Sequence, residues 1–442
     1  MSGPIERPLA VEVQVKQIES DGRDEDRSDD PEMSGITLAD SLHLLRTRRF
    51  GTFFFATLLS NIGTWTQQIA EPWLLLSLGA SSFLIGLDSF AMAAPIGVLT
   101  LLGGVLADRA DRRHIIATCQ TIQMLCPSLL VVLLITGWVQ PWIVIVLSMV
   151  VGVTDALSMP SFQTIIPSIV ERDQIPSALA LNATQFNLSR VLGPALAGIV
   201  LASVGAVGCF ALNALSYLPF IWVALWILPR GRPPAPDDEF TERDYLFSGL
   251  RDIIRNPDLR GGLLTMLITS MLCTPIVVFC PVIVTNMLHG GVNDFSASIG
   301  AFGLGGLLGA VGLLGIAGHI DPRRISSWCA RGYGSILIFA ALNQWFWVLP
   351  VLLGFAGALM TISNTSVNTL LQSTAPTTLR GQTISLYMVA MRGGASFGSL
   401  ATGLSLSLVG VRDALLINGI LAIVAQIAVG LWWFGPLRRP EA

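Results

Sequence analysis

The sequence predicts an all-α membrane protein of about twelve transmembrane helices in two six-helix halves. Three observations carry this expectation: composition, the spacing of apolar runs, and the alternation of charge in the connections between them. Of 442 residues, 52% are apolar and only 12% charged, and mean hydropathy is positive, a balance foreign to soluble domains. A helix needs roughly 20 apolar residues to cross the hydrocarbon core, so the chain has room for these spans and no large soluble domain.

Apolar runs between charged or Gly/Pro/Asn breaks fall near 50–78, 83–107, 114–136, 141–160, 177–204 and 208–228, then 261–287, 297–318, 325–346, 349–371, 382–409 and 413–434. Arginines recur in every second connection: Arg46, Arg48 and Arg49 before the first span, Arg109, Arg112 and Arg113 after the second, and Arg172 after the fourth. The series continues with Arg230 to Arg260 after the sixth, then Arg323, Arg324 and Arg380, and ends with Arg438 and Arg439, whereas the other connections hold only Arg412. The positive-inside rule then places both termini and the central linker in the cytoplasm, as expected of a multi-pass protein of a bacterial inner membrane.

Outside the spans, residues 1–44 read as a disordered acidic cytoplasmic tail: the first forty residues hold eleven Asp or Glu against four Lys or Arg. No signal peptide is evident, and Met33 would serve equally well as a start. Residues 45–228 form the first half and 261–436 the second. Between them, 229–260 is a Pro-rich linker with a surface helix that is apolar on one face around Tyr245–Arg255. The halves echo each other, because Gly193, Gly198 and Gly205 recur 205 residues later as Gly398, Gly403 and Gly410. Gly104 with Arg112 and Arg113 recurs as Gly315 with Arg323 and Arg324.

The most specific segment is Gly104-Val-Leu-Ala-Asp108-Arg109-Ala-Asp111-Arg112-Arg113-His114, between the second and third spans. It resembles the signature loop of the major facilitator superfamily, with Asp111 where that loop usually has glycine. Together with Met159-Pro-Ser-Phe-Gln-Thr-Ile-Ile-Pro-Ser-Ile-Val it resembles an efflux branch that includes siderophore (enterobactin) and macrolide exporters. The resemblance covers about residues 45 to 435 and implies the major facilitator fold, in which helices one, four, seven and ten line the cavity. It further implies a gating latch of Gly104, Asp108, Arg109, Arg112, Arg113 and Asp155, with Asp108 against the start of the eleventh helix and Arg112 paired to Asp155. Gly193-Pro194-Ala-Leu-Ala-Gly198 is similar to the antiporter motif of superfamily exporters, a partial match since Asn182, Ser189 and Ala197 replace preferred glycines.

Ionisable groups inside spans are costly and mark function or pairing. Glu71 and Asp88 flank the first outer turn at like depth, and two nearby carboxyls out of water suit a proton-coupling role. The competing reading has Glu71 paired structurally and Asp88 simply reaching water. Arg190 and Arg392 fall near mid-membrane, where they would meet an anionic substrate, backbone carbonyls or acidic partners. Asn61, Trp65, Gln68, Asn364 and Asn368 suit a broad amphipathic cavity and also ordinary helix packing.

The only lysine, Lys16, lies in the tail, which excludes a phosphate-binding loop and hence direct use of a nucleotide. No catalytic constellation occurs, so no enzyme activity and no cofactor or metal are expected. The six cysteines read as buried small hydrophobes. The function expected is secondary active export of a small amphipathic molecule, drug-like or siderophore, by proton antiport with alternating access. The alternatives are a gradient-driven importer of a small metabolite and a non-transporting membrane sensor or interaction protein. Partners would be the substrate, protons and the bilayer, with no nucleic acid, and the protein would act as a monomer.

Overall fold

The computed structural model describes residues 43–228, 250–316, 320–376 and 379–434. The acidic tail up to residue 42 and linker residues 229–249 lie outside the described residues, while residues 250–255 of the expected surface helix are helical, with Ile253 buried and Ile254 exposed. Gly104, Asp108 and Arg109 belong to a described helix backbone, but their side-chain surroundings lie outside the description.

The apolar runs form helices, and no strand occurs among the described residues. Eight helices are long and apolar enough to cross a membrane, and one of them, Ile175–Trp226, holds two spans. With Arg48–Ser77, Ser82–Arg109 and Arg380–Val409, of 30, 28 and 30 residues, the count reaches the expected twelve. Spans one to four are Arg48–Ser77, Ser82–Arg109, Arg112–Thr136 and Pro141–Ile169. Spans five and six share Ile175–Trp226, broken at Gly205, whose φ of 75° lies in the left-handed region that glycine tolerates best. Spans eight to twelve are Val292–Ile316, Pro322–Leu342, Val348–Thr374, Arg380–Val409 and Val411–Phe434.

Span seven is irregular. It runs as α-helix over Pro257–Ile268, widens to π-helix over Thr269–Cys273, and widens again over Ile283–Met287. Pro275 accounts for the first widening, since it removes a backbone donor and crowds the Met271 carbonyl four residues earlier, and Pro281 acts likewise on Val277 at the break near Phe279. The carbonyl of Met271, left without its helical donor, lies against Gly398 of span eleven.

The glycine repeat is a structural repeat. Gly193 packs on Trp65 of span one, and Gly398 occupies the matching place on span seven. Gly198 sits against Ser296 and Gly300 of span eight, while Gly403 sits against Ser82 and Gly86 of span two. Gly205 and Gly410 both take positive φ where their spans end. The same close approaches form the two main seams between the halves, span two with eleven and span five with eight.

The two ends of the bundle differ. Opposite the termini, apolar clusters draw on both halves: Leu74, Leu75 and Phe210 pack with Phe279, Val282 and Leu406. Trp73 also stacks on Phe295 there, with ring centroids 5.0 Å apart. Toward the termini the cores mainly follow the halves, around Phe50, Ile166 and Phe220 in one and Leu259, Leu371 and Tyr387 in the other, with Phe186 of span five packing against the second. Exposed tryptophans gather near both ends, Trp138, Trp142, Trp345 and Trp347 at one and Trp222, Trp226 and Trp328 at the other, as at two membrane interfaces.

Candidate functional site

Two polar clusters interrupt the apolar interior. The first lies wholly within the N-terminal half. Glu71 sits less than two turns from the end of span one, its side chain turned inward by packing of Ala70 and Leu74, and is 4% exposed. Ser148 of span four donates to its Oε1 at 2.6 Å, and Gln67, one helical turn earlier, lies beside it. Asp88 of span two is likewise buried and lies near the same Ser148, whose hydroxyl donates to Glu71. The burial of Asp88 departs from the reading in which it reaches water: Ser81 caps span two, which places Asp88 nearly two turns inside the helix. Asp88 Oδ1 has no hydrogen-bond partner among the described residues.

Around the carboxyls, a space of about 290 Å³ is lined by Gln67, Gln68, Glu71, Met92, Gln123 and Tyr217, among others. Asn213 donates to Gln67 Oε1 at 2.6 Å, and Tyr217 and Thr64 hydroxyls are 3.1 Å apart. Gln123 leaves this space on its far side, donating to Asp155 Oδ1 at 2.9 Å and to Thr154 at 3.1 Å.

The second cluster joins the halves. Asp155 Oδ2 is 3.5 Å from Nη1 of Arg392 in span eleven, and the Arg392 guanidinium lies over Phe186, 5.9 Å from its centroid. Arg190 of span five reaches across to span ten and span eleven. With the Asn364 amide turned so that its oxygen faces the guanidinium, that oxygen accepts from Nη2 at 2.7 Å and Nη1 at 3.3 Å. The thioether of Met391 is 3.3 Å from Nη1 and that of Met360 is 3.9 Å from Nη2. A narrow space adjoins Arg190, lined by residues of spans five, eight and ten including Asn187, Phe302, Thr361 and Asn364.

The remaining expected cavity residues divide. Trp65 packs edge-on to Phe186 at 6.2 Å, and Gln68 donates to the Met92 sulfur at 3.7 Å. Asn368 accepts from Gln372 on its own helix, and Asn61 is half-buried on span one without a recorded hydrogen bond.

The latch differs from expectation in one pairing. Arg112 does not meet Asp155: its Nη1 faces the Thr164 carbonyl at 3.5 Å. Span four extends to Ile169 rather than ending near 160, so Asp155 sits at mid-helix. Nine residues separate it from Thr164, about 13 Å along the axis. Asp111 explains why this loop has no glycine there, since it caps span three, accepting from the Arg113 backbone N–H at 3.1 Å and from its Nε at 2.9 Å. Asp321 repeats the cap on span nine with Arg323, at 2.9 Å. Arg113 Nη1 also donates to the Leu225 carbonyl at the end of span six. Gly193 and Gly198 act as contact points for spans one and eight, and Pro194 leaves the Arg190 carbonyl without its helical donor.

Residues not foreseen as site members are Ser148, Gln123, Tyr217, Met360 and Met391. The seven-residue spacing of Ser148 and Asp155 puts the two on one helix face and carries the signal that would have found Ser148.

Known proteins agree with this architecture. A family model described as transmembrane secretion effector matches residues 39–437. The chain belongs to that family, within the major facilitator superfamily. It is 25% identical over 420 residues to the enterobactin exporter EntS of Citrobacter koseri, spanning 90% of this chain and 95% of that one. It is 28% identical over 174 residues to the staphyloferrin A transporter of Staphylococcus aureus, a match spanning 39% of this chain and 43% of that protein. Among solved structures it shares the fold of the nucleoside transporter NupG, with a TM-score of 0.66 at 11% identity over 88% of this chain and all of that one. A bacterial homologue of the lysosomal transporter Spinster gives 0.63 at 13% identity, over 90% of this chain and 98% of that one. The protein is therefore a multi-pass membrane transporter that handles small molecules, and not an enzyme.

Proposed function

We propose that the protein exports an amphipathic small molecule of the siderophore kind from the cytoplasm, driven by inward proton flow. The observation that carries this reading is the pair Glu71 and Asp88, buried together beside Ser148, with one Asp88 oxygen lacking a donor among the described residues. Burying two ionised carboxyls costs several kcal/mol apiece, and one proton held between them removes much of that cost. The site is thus built to take up and give back a proton as water reaches it or leaves it. The names of the relatives support a siderophore-like substrate, and the Gly-Pro segment of span five supports export.

By the positive-inside rule the end carrying both termini is cytoplasmic, so the form described here, with its shared core at the far end, is open to the inside. In this form the Arg190 space receives substrate while the carboxyl pocket releases its proton. Parting of the far-end core, around Leu74, Phe279 and Trp73, then lets substrate out and a proton in.

The test is retention of a mixed panel of siderophores and drugs in pump-deficient bacterial cells expressing the protein or its Glu71→Gln variant, with and without a protonophore. Lower retention that needs both Glu71 and the gradient is expected. Retention equal to that of cells lacking the protein, for every compound, or lowering that survives the protonophore, would reject proton-driven export.

A further inference from the structure

Arg190 and Arg392 lie at similar depth yet their charges are answered differently. Arg392 faces a carboxylate, Asp155, across the halves at 3.5 Å. No carboxylate among the described residues lies within ion-pairing distance of Arg190, and no backbone carbonyl among them accepts from it. Its neighbours are two thioethers, the Asn364 amide and the Tyr387 hydroxyl. Thioethers are weak acceptors, and a guanidinium offers five N–H donors in a planar fork. A structural arginine in a membrane protein is normally neutralised by an acidic partner or by carbonyls. Here the fork is held in place but its charge is left open.

We propose that Arg190 anchors the anionic head of the transported compound, and that the compound is an amphipath with a single compact oxyanion such as a carboxylate. This rests on the transport reading above and narrows its substrate. The residues around the adjoining space match the two parts of such a ligand, and parting of the helices would have to widen it for the body to enter. Asn187, Thr361 and Thr365 offer polar groups for further oxygens of the head. Phe302, Val191 and Met360 offer an apolar wall for the body, and Gly303 and Gly306 keep span eight thin on that side. One open positive charge calls for one negative charge. A second anion would have to displace Asp155 from Arg392, so monoanions are favoured over dianions. The same placement explains how the ligand would report its presence, because the anchor stands on span five while its supports, Met360, Asn364 and Met391, stand on spans ten and eleven of the other half.

Equilibrium dialysis of the full-length protein purified in detergent, with 2-naphthoate against its uncharged amide, tests this without any gradient. A charge-assisted fork contributes enough for the acid to bind about tenfold more tightly than the amide. Arg190→Gln should erase that preference, and Arg190→Lys should keep part of it. Should Arg190→Gln fail to fold, Asn364→Asp serves in its place: an internal carboxylate beside the fork should also abolish the preference for the acid. Equal binding of acid and amide to the unmodified protein, or a preference that survives Arg190→Gln or Asn364→Asp, would overturn the assignment. An acid preference in protein whose cells show no lowered retention would leave the anchor standing and reject export instead.

Discussion

The carboxyl pocket and the arginine site differ in where they stand. Glu71, Asp88 and Ser148 come from spans one, two and four, all in one half, so rocking of the halves changes which water reaches them but not their mutual contacts. Arg190 and Arg392 bind across the seam, so the same motion makes or breaks their contacts. A site for an ion that must be carried in both conformations belongs on one rigid body, and a site that must sense and drive rearrangement belongs between two. Between them lies one polar path: Gln123 lines the carboxyl pocket and donates to Asp155, which faces Arg392.

The largest effect expected from this division is separability. Glu71→Gln should reduce gradient-driven transport to that of cells without the protein while leaving acid binding at Arg190 within about twofold, since 1.4 kcal/mol would be needed for tenfold. Parallel loss of binding in dialysis would mean that the two regions are one site. Next comes the seam: a Cβ on Gly198 would stand 2.6 Å from the Ser296 carbonyl, and one on Gly403 would stand 2.6 Å from that of Ser82. Gly198→Val and Gly403→Val should each cost about 1–3 kcal/mol, seen as lowered thermal stability in detergent, with similar losses at the two positions if the halves are equivalent. A loss at only one would show that the seams are not alike.

Smaller still is the tether. Asp155 and Arg392 are each one-third exposed, so a double-mutant cycle with Asp155→Asn and Arg392→Gln should give a coupling of about 0.5–1 kcal/mol. Coupling near zero in thermal unfolding would remove the ion pair from the path joining the regions.

Smallest is the cap of span nine. Burial pushes the Asp321 carboxyl up, but its hydrogen bonds to the Arg323 side chain and backbone, together with that charge, hold it below the ordinary carboxylate range. Its contribution is therefore present above the ordinary carboxylate value and is lost as pH falls through the lowered one. Asp321→Asn should cost a few tenths of a kcal/mol at neutral pH, about what an exposed pair gives, and nothing at strongly acid pH.

Much of the fold was legible because lipid imposes length and apolarity on every span, and because glycine contacts leave a repeat in the text. Even in Ile175–Trp226 the break at Gly205 falls between the two apolar runs read as separate spans. The carboxyl and arginine residues were legible as costly groups, for the same physical reason. Their partners were not. The pairing of Arg112 with Asp155 was implied by the family resemblance, but the true end of span four moved Asp155 out of reach. Ser148, Met360 and Met391 are ordinary residues for a buried helix, and only their position across a packed interface makes them part of a site.

The central claim is that a proton on the Glu71–Asp88 pair drives uphill movement of a compound held at Arg190. Proteoliposomes with an acid lumen and neutral exterior, given the compound identified by the cell panel, test it directly. Concentration of the compound in the lumen by the unmodified protein, with mere equilibration by Glu71→Gln, is the predicted result. Equal accumulation by both, or accumulation by the unmodified protein with no pH difference imposed, would contradict it.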